Sequence, residues 1–358
     1  MIKTLVIHLG DTKTGSTAIQ SVLRSGEYVT PRGQTVCYPG QSLNHNRLPK
    51  ALSKVKNAER QLRLFDPIVQ ELRESNADFG VISAELFQAV DPQNLKRIID
   101  SEMADLSDRM RLISYVRPHA ERLVSTYSEQ SKFGRVSGDI RSHFQTMGGT
   151  KRLQYAPRFA AWRQTFGDKF HLRFFQRDHL LKGDVVADFF AWMLQEDGTE
   201  IHGAQQSNAA LTVGQIALLR RYHNLMGKTP QTGRADKMPA SIARALVAQF
   251  RVTGLGANMD RVTIPEKLAA RLKQSYSSDA RALDAAFFDG TPMLDALNDI
   301  PAKLIGTNAN FDADSYFSQD VLQAFDTMAQ MSILLMGDDV KELRARAKDA
   351  RVKTKQIQ

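Results

Sequence analysis

Cysteine is nearly absent. Cys37 is the only one in 358 residues, which excludes an intramolecular disulfide framework and any metal site built from several thiolates, and suits a reducing compartment. Long apolar runs are missing as well. The most apolar stretch, Val185–Leu194, is interrupted by Asp188 and falls far short of the roughly 20 residues that cross a bilayer. The opening M-I-K-T-L-V-I-H-L-G-D is broken by His8, ends in Asp11 and has no small-residue cleavage site, so it reads as a buried first strand rather than a secretory leader. A cytoplasmic protein is expected. Acid is the minority charge: 48 Lys+Arg stand against 39 Asp+Glu, a formal +9. With 42% hydrophobic and 24% charged residues, the chain has the composition of a folded soluble protein, and wholesale disorder is excluded.

The surplus of positive charge points to an anionic partner, but its distribution matters more than its size. Residues 341–358 hold seven Lys/Arg and two Asp/Glu, a net +5 of the chain's +9. This basic tail suits a solvated face or a peripheral contact with an acidic acceptor or lipid headgroup. No recognised nucleic-acid motif accompanies it, and no nucleic-acid partner is expected. The anion that defines function is to be sought elsewhere in the chain.

Two styles of sequence follow one another. Up to about Gly203, short apolar runs at Thr4–Leu9, Phe79–Ala84, Leu112–Val116 and Phe170–Phe175 alternate with helical patterns at Thr17–Tyr28, Arg60–Glu74, Asn94–Arg109 and Pro118–Lys132. Runs that are apolar throughout, rather than alternating, mark strands covered on both faces. Strand–helix–strand order predicts a three-layer α/β/α domain around a central parallel sheet, over residues 1–205. Beyond about Ser207 helical patterns dominate, at Val213–Met226, Ala240–Phe250, Ile264–Phe288 and Asp314–Met336. These predict a helical C-terminal extension or cap over 206–340, with a surface open to a second copy of the chain, followed by the tail at 341–358.

The first phosphate-handling signal is G-D-T-K-T-G-S-T at residues 10–17. A glycine-bracketed turn between strand and helix aims backbone N–H groups and the positive helix end at one spot, which suits phosphate. In the nucleotide triphosphatase loop G-x-x-x-x-G-K-[ST], Gly10, Gly15 and Thr17 fit, but Ser16 stands where the lysine belongs. The loop's lysine is Lys13, which reaches a ligand from a different side. The second signal is Arg117, at the end of a strand, followed by Ser125 about two helical turns along. An arginine fork and a hydroxyl can hold a second phosphate.

The ordered pair, strand–x-x-K-T-G-[ST]-T–helix and then, about a hundred residues on, strand–R-x(7)-S–helix, resembles the sulfotransferases that use 3′-phosphoadenylyl sulfate (PAPS). More narrowly, H-L-G-D-T-K-T-G-S-T-A-I-Q and V-R-P-H-A-E-R-L-V-S-T-Y resemble stand-alone bacterial members and the carbohydrate sulfotransferases, over roughly residues 1–200. One departure is Asp11-Thr12, where such proteins commonly carry a proline before the lysine. The resemblance implies PAPS as sulfuryl donor, without a required metal ion. It implies that Lys13 stabilises charge on the leaving group, that Thr14, Gly15, Ser16 and Thr17 cradle the 5′-phosphate, and that Arg117 and Ser125 hold the 3′-phosphate. The acceptor would be a hydroxyl or amine, on a glycan or glycolipid.

Such an acceptor must lose a proton, so a general base is needed. Glu85, just past the second long strand, occupies the end of a parallel strand where sites assemble; His45, in L-N-H-N-R-L, is the rival. His8, within the first strand, is expected to be packed, and Tyr155, Trp162 and Phe166 to be core. The alternative to sulfuryl transfer is a phosphate-loop kinase or other nucleotide-binding protein, which would want a lysine at position 16 and a carboxylate for Mg²⁺.

Overall fold

The structure, a computed structural model, describes residues 1–54, 58–202, 210–228 and 240–337. The basic tail at 341–358 therefore lies outside the described residues. Five parallel strands form the central sheet: β1 (Thr4–Gly10), β2 (Val36–Cys37), β3 (Phe79–Ser83), β4 (Met110–Val116) and β5 (Phe170–Phe174). Their spatial order is β2-β3-β1-β4-β5, so the chain leaves β1 to one side and later crosses to the other. β1, in the middle, pairs Val6 with Val81 of β3 and with Arg111 of β4. This is the expected three-layer α/β/α arrangement. The reversal of direction beside β1 makes the carboxyl ends of β1 and β4 a topological switch point, the position at which open α/β sheets bind their ligands.

The period-two alternation of strand side chains feeds a separate layer of helices on each face. On one face Val6, Val81, Ile113 and Tyr115 pack with Ile19, Val22 and Leu23 of helix α1 (Ser16–Ser25), and with Val185, Val186, Phe189, Phe190 and Met193 of helix α4 (Val185–Leu194). On the other face lie the helices Ala58–Glu74 and Pro92–Glu102, with helix α3 (Ala156–Phe166), whose Trp162 stacks on Phe170 of β5. Between α1 and α4 in chain order comes helix α2 (His119–Lys132), which follows β4 directly. The apolar stretch that is too short to cross a membrane is thus α4, and its interrupting Asp188 is buried against Tyr115 and Arg173. Among the described residues, no helix is long and apolar enough to cross a membrane.

Helix ends follow local chemistry. Helix α1 stops at Gly26, which takes the left-handed conformation (φ 69°) and donates its N–H to the Val22 carbonyl. Asp184 caps α4 by accepting from the Val186 and Ala187 amides. The stretch expected as one helix over Asn94–Arg109 breaks at Met103 into Pro92–Glu102 and the short Ala104–Ser107.

The chain divides into two compact units drawn from interleaved stretches. Among the described residues, one draws on 1–123, 147–202 and 267–301, and the other on 124–146, 210–266 and 302–337. In the first, Asp279, on the helix Glu266–Phe287, accepts from the Tyr155 and Ala156 amides at the start of α3. Chain order alone, with its change of style near residue 205, does not convey that this helix serves the α/β unit. In the second, Tyr222, Met226, Ala243 and Ala329 form a small core among the helices Val213–Lys228, Ala240–Thr253 and Gln319–Gly337.

One close backbone approach lies at the carboxyl end of β1. Gly10 ends β1 at φ 67°, and a Cβ built there would stand 2.6 Å from the Cα of Glu85. A side chain at this position meets both a left-handed conformation and a backbone that cannot yield. Gly10→Ala is therefore expected to lower the unfolding free energy by on the order of 2–4 kcal/mol, measured by urea denaturation against the wild type.

Candidate functional site

The loop joining β1 to α1 begins at Gly10 and closes at Gly15. Lys13 sits within it at φ 70°, a conformation that non-glycine residues seldom adopt. Several bonds converge to hold it there. The Thr14 hydroxyl donates to the Asp11 carbonyl at 2.7 Å, the Ser16 hydroxyl reaches the same carbonyl at 3.4 Å, and Arg117 Nη1 donates to the Lys13 carbonyl at 2.9 Å. Gly15, at φ 77°, is the residue before α1, and a Cβ there would meet Val185 Cγ1 at 2.6 Å. The first amides of a helix have no partner within it, so Ser16 and Thr17 open α1 with N–H groups and the positive helix end directed into the loop. Thr14 and Ser16 are buried, whereas Thr17 is exposed.

Arg117 stands just past the end of β4. Its Nε donates to Glu121 Oε2 at 3.2 Å, and its guanidinium lies 5.4 Å from the centroid of the Phe175 ring. Burial holds its pKa below the ordinary arginine value, with Glu121 working in the opposite direction. The two sequence signals thus meet physically: the arginine of the second grips the backbone of the lysine of the first. Ser125 lies farther along α2, half-buried, in the stretch belonging to the second compact unit.

Asp11 belongs to the Asp11-Thr12 departure from the expected motif, and its carboxylate is wholly buried. One oxygen lies 2.9 Å from Arg122 Nη1 and the other 2.8 Å from Arg158 Nη2, while the Thr12 amide donates to Oδ1 at 2.7 Å. Burial alone would raise this carboxyl, but the Arg122 and Arg158 guanidinium groups outweigh it and hold the pKa below the usual range. Arg122 also donates to the Thr12 hydroxyl. Arg122 and Arg158 share a third acceptor, Gln88 Oε1, at 3.3 Å each.

Glu85 opens the short turn Glu85–Ala89 immediately after β3 and is half-buried. Its neighbours are fixed on both sides: Ala84 donates its amide to the His8 carbonyl at 3.1 Å, and Leu86 donates to Asn46 Oδ1 at 3.3 Å. His45, the rival base, is committed differently. Its Nδ1 accepts from the Ser83 amide at 3.0 Å and its Nε2 donates to the Pro39 carbonyl at 2.9 Å, so both ring nitrogens are engaged in the neutral tautomer that these partners define. Burial lowers its pKa. His45 and Asn46 together brace the strand end that carries Glu85.

His8 is packed, as expected of a residue within the first strand. Its Nδ1 lies 2.8 Å from the Ser83 hydroxyl, which also accepts from Gln20 Nε2 at 3.0 Å, and its ring lies among Tyr115 and Phe189. Tyr155, Trp162 and Phe166 are likewise core. Among the described residues, no group of three or more His, Cys, Asp or Glu side chains is gathered to hold a metal ion.

The side chains packed around the loop that sequence reasoning passed over are Arg122, Arg158 and Gln88. In the sequence Asp11 is only a departure from a motif; its burial, which calls for compensating cations, is visible in the fold alone. No sequence spacing marks Arg158, which arrives from α3.

No family model matches the chain, and no curated protein matches it. Among solved structures, the chain is similar to a sulfotransferase from Alicyclobacillus acidocaldarius at 10% identity and a TM-score of 0.42, over 82% of this chain and 99% of that one. The likeness is slight, and the functional case rests on the residues.

Burial of His8 has a consequence for stability. It pushes the ring from its ordinary 6.5 down to about 3, so the folded chain holds it neutral. The unfolded chain takes up a proton there between those values. This contribution to stability is fully present above pH 6.5 and is lost as pH falls toward 3. In urea unfolding measured from pH 7 to pH 4, the wild type is expected to lose stability progressively. His8→Asn, whose amide can keep the bond to Ser83, should show a shallower decline.

Proposed function

We propose that the chain transfers a sulfuryl group from PAPS to a hydroxyl or amine acceptor on a glycan or glycolipid. One observation carries this reading: the hydrogen bond from Arg117 to the Lys13 carbonyl joins the lysine of the first motif to the arginine of the second at the carboxyl ends of β1 and β4. A nucleotide with phosphates at both the 5′ and 3′ positions calls for two such groups.

In the proposed reaction the acceptor oxygen or nitrogen attacks sulfur. The bond between sulfur and the oxygen bridging to the 5′-phosphate breaks, and adenosine 3′,5′-bisphosphate leaves. Lys13 stabilises the charge that develops on that bridging oxygen, and the amides of Thr14 to Thr17 receive the 5′-phosphate. Arg117 takes the 3′-phosphate, with Ser125 assigned to it from its spacing on α2. The acceptor proton passes to Glu85. His45 is the weaker choice of base, because both of its nitrogens are bonded within the fold. No step asks for a metal ion. A phosphate-loop kinase is disfavoured because position 16 is Ser16, buried with its hydroxyl turned to the Asp11 carbonyl, and not a lysine.

The assignment is tested with labelled PAPS and a panel of glycan and glycolipid acceptors. Lys13→Ala is expected to slow transfer by about 10²–10³-fold. Arg117→Ala is expected to weaken binding of adenosine 3′,5′-bisphosphate by about 10–100-fold, the loss of one charge-assisted contact. Circular dichroism should show both variants folded. Transfer at the wild-type rate by both would overturn the assignment.

A further inference from the structure

Arg122 and Arg158 make contacts beyond the Asp11 carboxylate, and those contacts indicate what they are for. Arg122 is almost wholly buried at 2% exposure and Arg158 is 20% exposed. They come from different helices, α2 and α3, yet converge on the same two acceptors. One is the Asp11 carboxylate, on the phosphate-binding loop; the other is Gln88 Oε1, on the turn that begins with Glu85. The arginines therefore tie the loop to the turn.

The turn is held against the loop at two points. The first is the Gly10 backbone, which lies so close to the Glu85 backbone that a Cβ on Gly10 would stand 2.6 Å from the Glu85 Cα. The second is Gln88, three residues on. The bonds of Ala84 and Leu86 hold the start of the turn; the Gln88 contact holds its far end against the loop and so limits how the Glu85 carboxylate is directed. The residue type at 88 fits this duty. A neutral amide oxygen accepts from both guanidinium groups without competing for them as a second carboxylate would. Arg122 is left within electrostatic range of Glu85.

We propose that Gln88 is a positioning residue: anchored through Arg122 and Arg158 to Asp11 of the loop, it sets the Glu85 turn, and hence the general base, relative to the donor held at Lys13. This rests on the sulfuryl-transfer reading given above. Gln88 touches neither donor nor acceptor in this role. It acts through Glu85, so removing it should change the chemical step while leaving the donor site formed.

The test uses the full chain with Gln88→Ala and Gln88→Glu, and measures kcat, donor KM, the Kd of adenosine 3′,5′-bisphosphate, Tm, and deuterium uptake of the segment 84–90. Gln88→Ala is expected to keep Tm, donor KM and bisphosphate affinity within twofold, to lose about tenfold in kcat, and to exchange faster over 84–90. Gln88→Glu restores the acceptor and is expected to recover most of kcat. Its added negative charge should shift the acidic limb of the pH–rate profile upward, because a base beside a like charge is protonated more readily. An unchanged kcat and unchanged exchange in Gln88→Ala would overturn the proposal. So would a fall in kcat matched by equal losses of Tm and bisphosphate affinity, which would make Gln88 a structural residue only. A wild-type chain that neither binds the bisphosphate nor transfers sulfate would instead overturn the sulfuryl-transfer reading beneath it.

Discussion

A carboxylate with no exposure to water must be compensated, and that requirement at Asp11 organises the region around the loop. Removing a charge from water costs several kcal/mol after relaxation, and Asp11 meets this with two guanidinium groups and the amide of Thr12. Satisfying it brings α2 and α3 to the same point beneath β1. The loop is then shaped from inside by its own residue: the Asp11 side chain faces the arginines, while its carbonyl receives the Thr14 and Ser16 hydroxyls. Lys13 is carried into a left-handed conformation between these anchors, and Arg117 secures its carbonyl from the other side.

The same economy appears in how the strand ends are used. β1 ends at Gly10, where any side chain would strike Glu85, and β3 ends where His45 and Asn46 take over its hydrogen bonding. A histidine that looks like a catalytic candidate in L-N-H-N-R-L is, in the fold, a bridge between the Ser83 amide and the Pro39 carbonyl. Its burial keeps it neutral, which suits one acceptor nitrogen and one donor nitrogen, and its two bonds leave neither for substrate.

Much of this was legible in the sequence. The four long strands announced themselves as short runs apolar on both faces, since each is covered by helices on both sides, and the loop announced itself by two glycines bracketing a lysine. Val36–Cys37 was not legible, because a two-residue edge strand carries no periodicity. Nor was the assignment of the helix Glu266–Phe287 to the α/β unit, since its links there (Asp279 capping α3, Tyr276 stacked on His119, Phe287 against Phe159 and Phe170) all come from more than a hundred residues away. Arg158 was hidden for the same reason: its partner Asp11 is distant in sequence, and a buried ion pair leaves no local pattern. The roles given to Lys13, Arg117, Ser125 and Glu85 remain proposals of chemistry, for which the geometry of the loop supplies the support.

The central claim is that the loop and Arg117 together receive a nucleotide phosphorylated at both the 5′ and 3′ positions. Calorimetric titration of the wild-type chain with adenosine 3′,5′-bisphosphate, adenosine 5′-phosphate and Mg-ATP tests it most directly. The account predicts that the bisphosphate binds at least tenfold more tightly than the monophosphate, without added metal, and more tightly than Mg-ATP. Equal affinity for bisphosphate and monophosphate, or a preference for Mg-ATP, would contradict it.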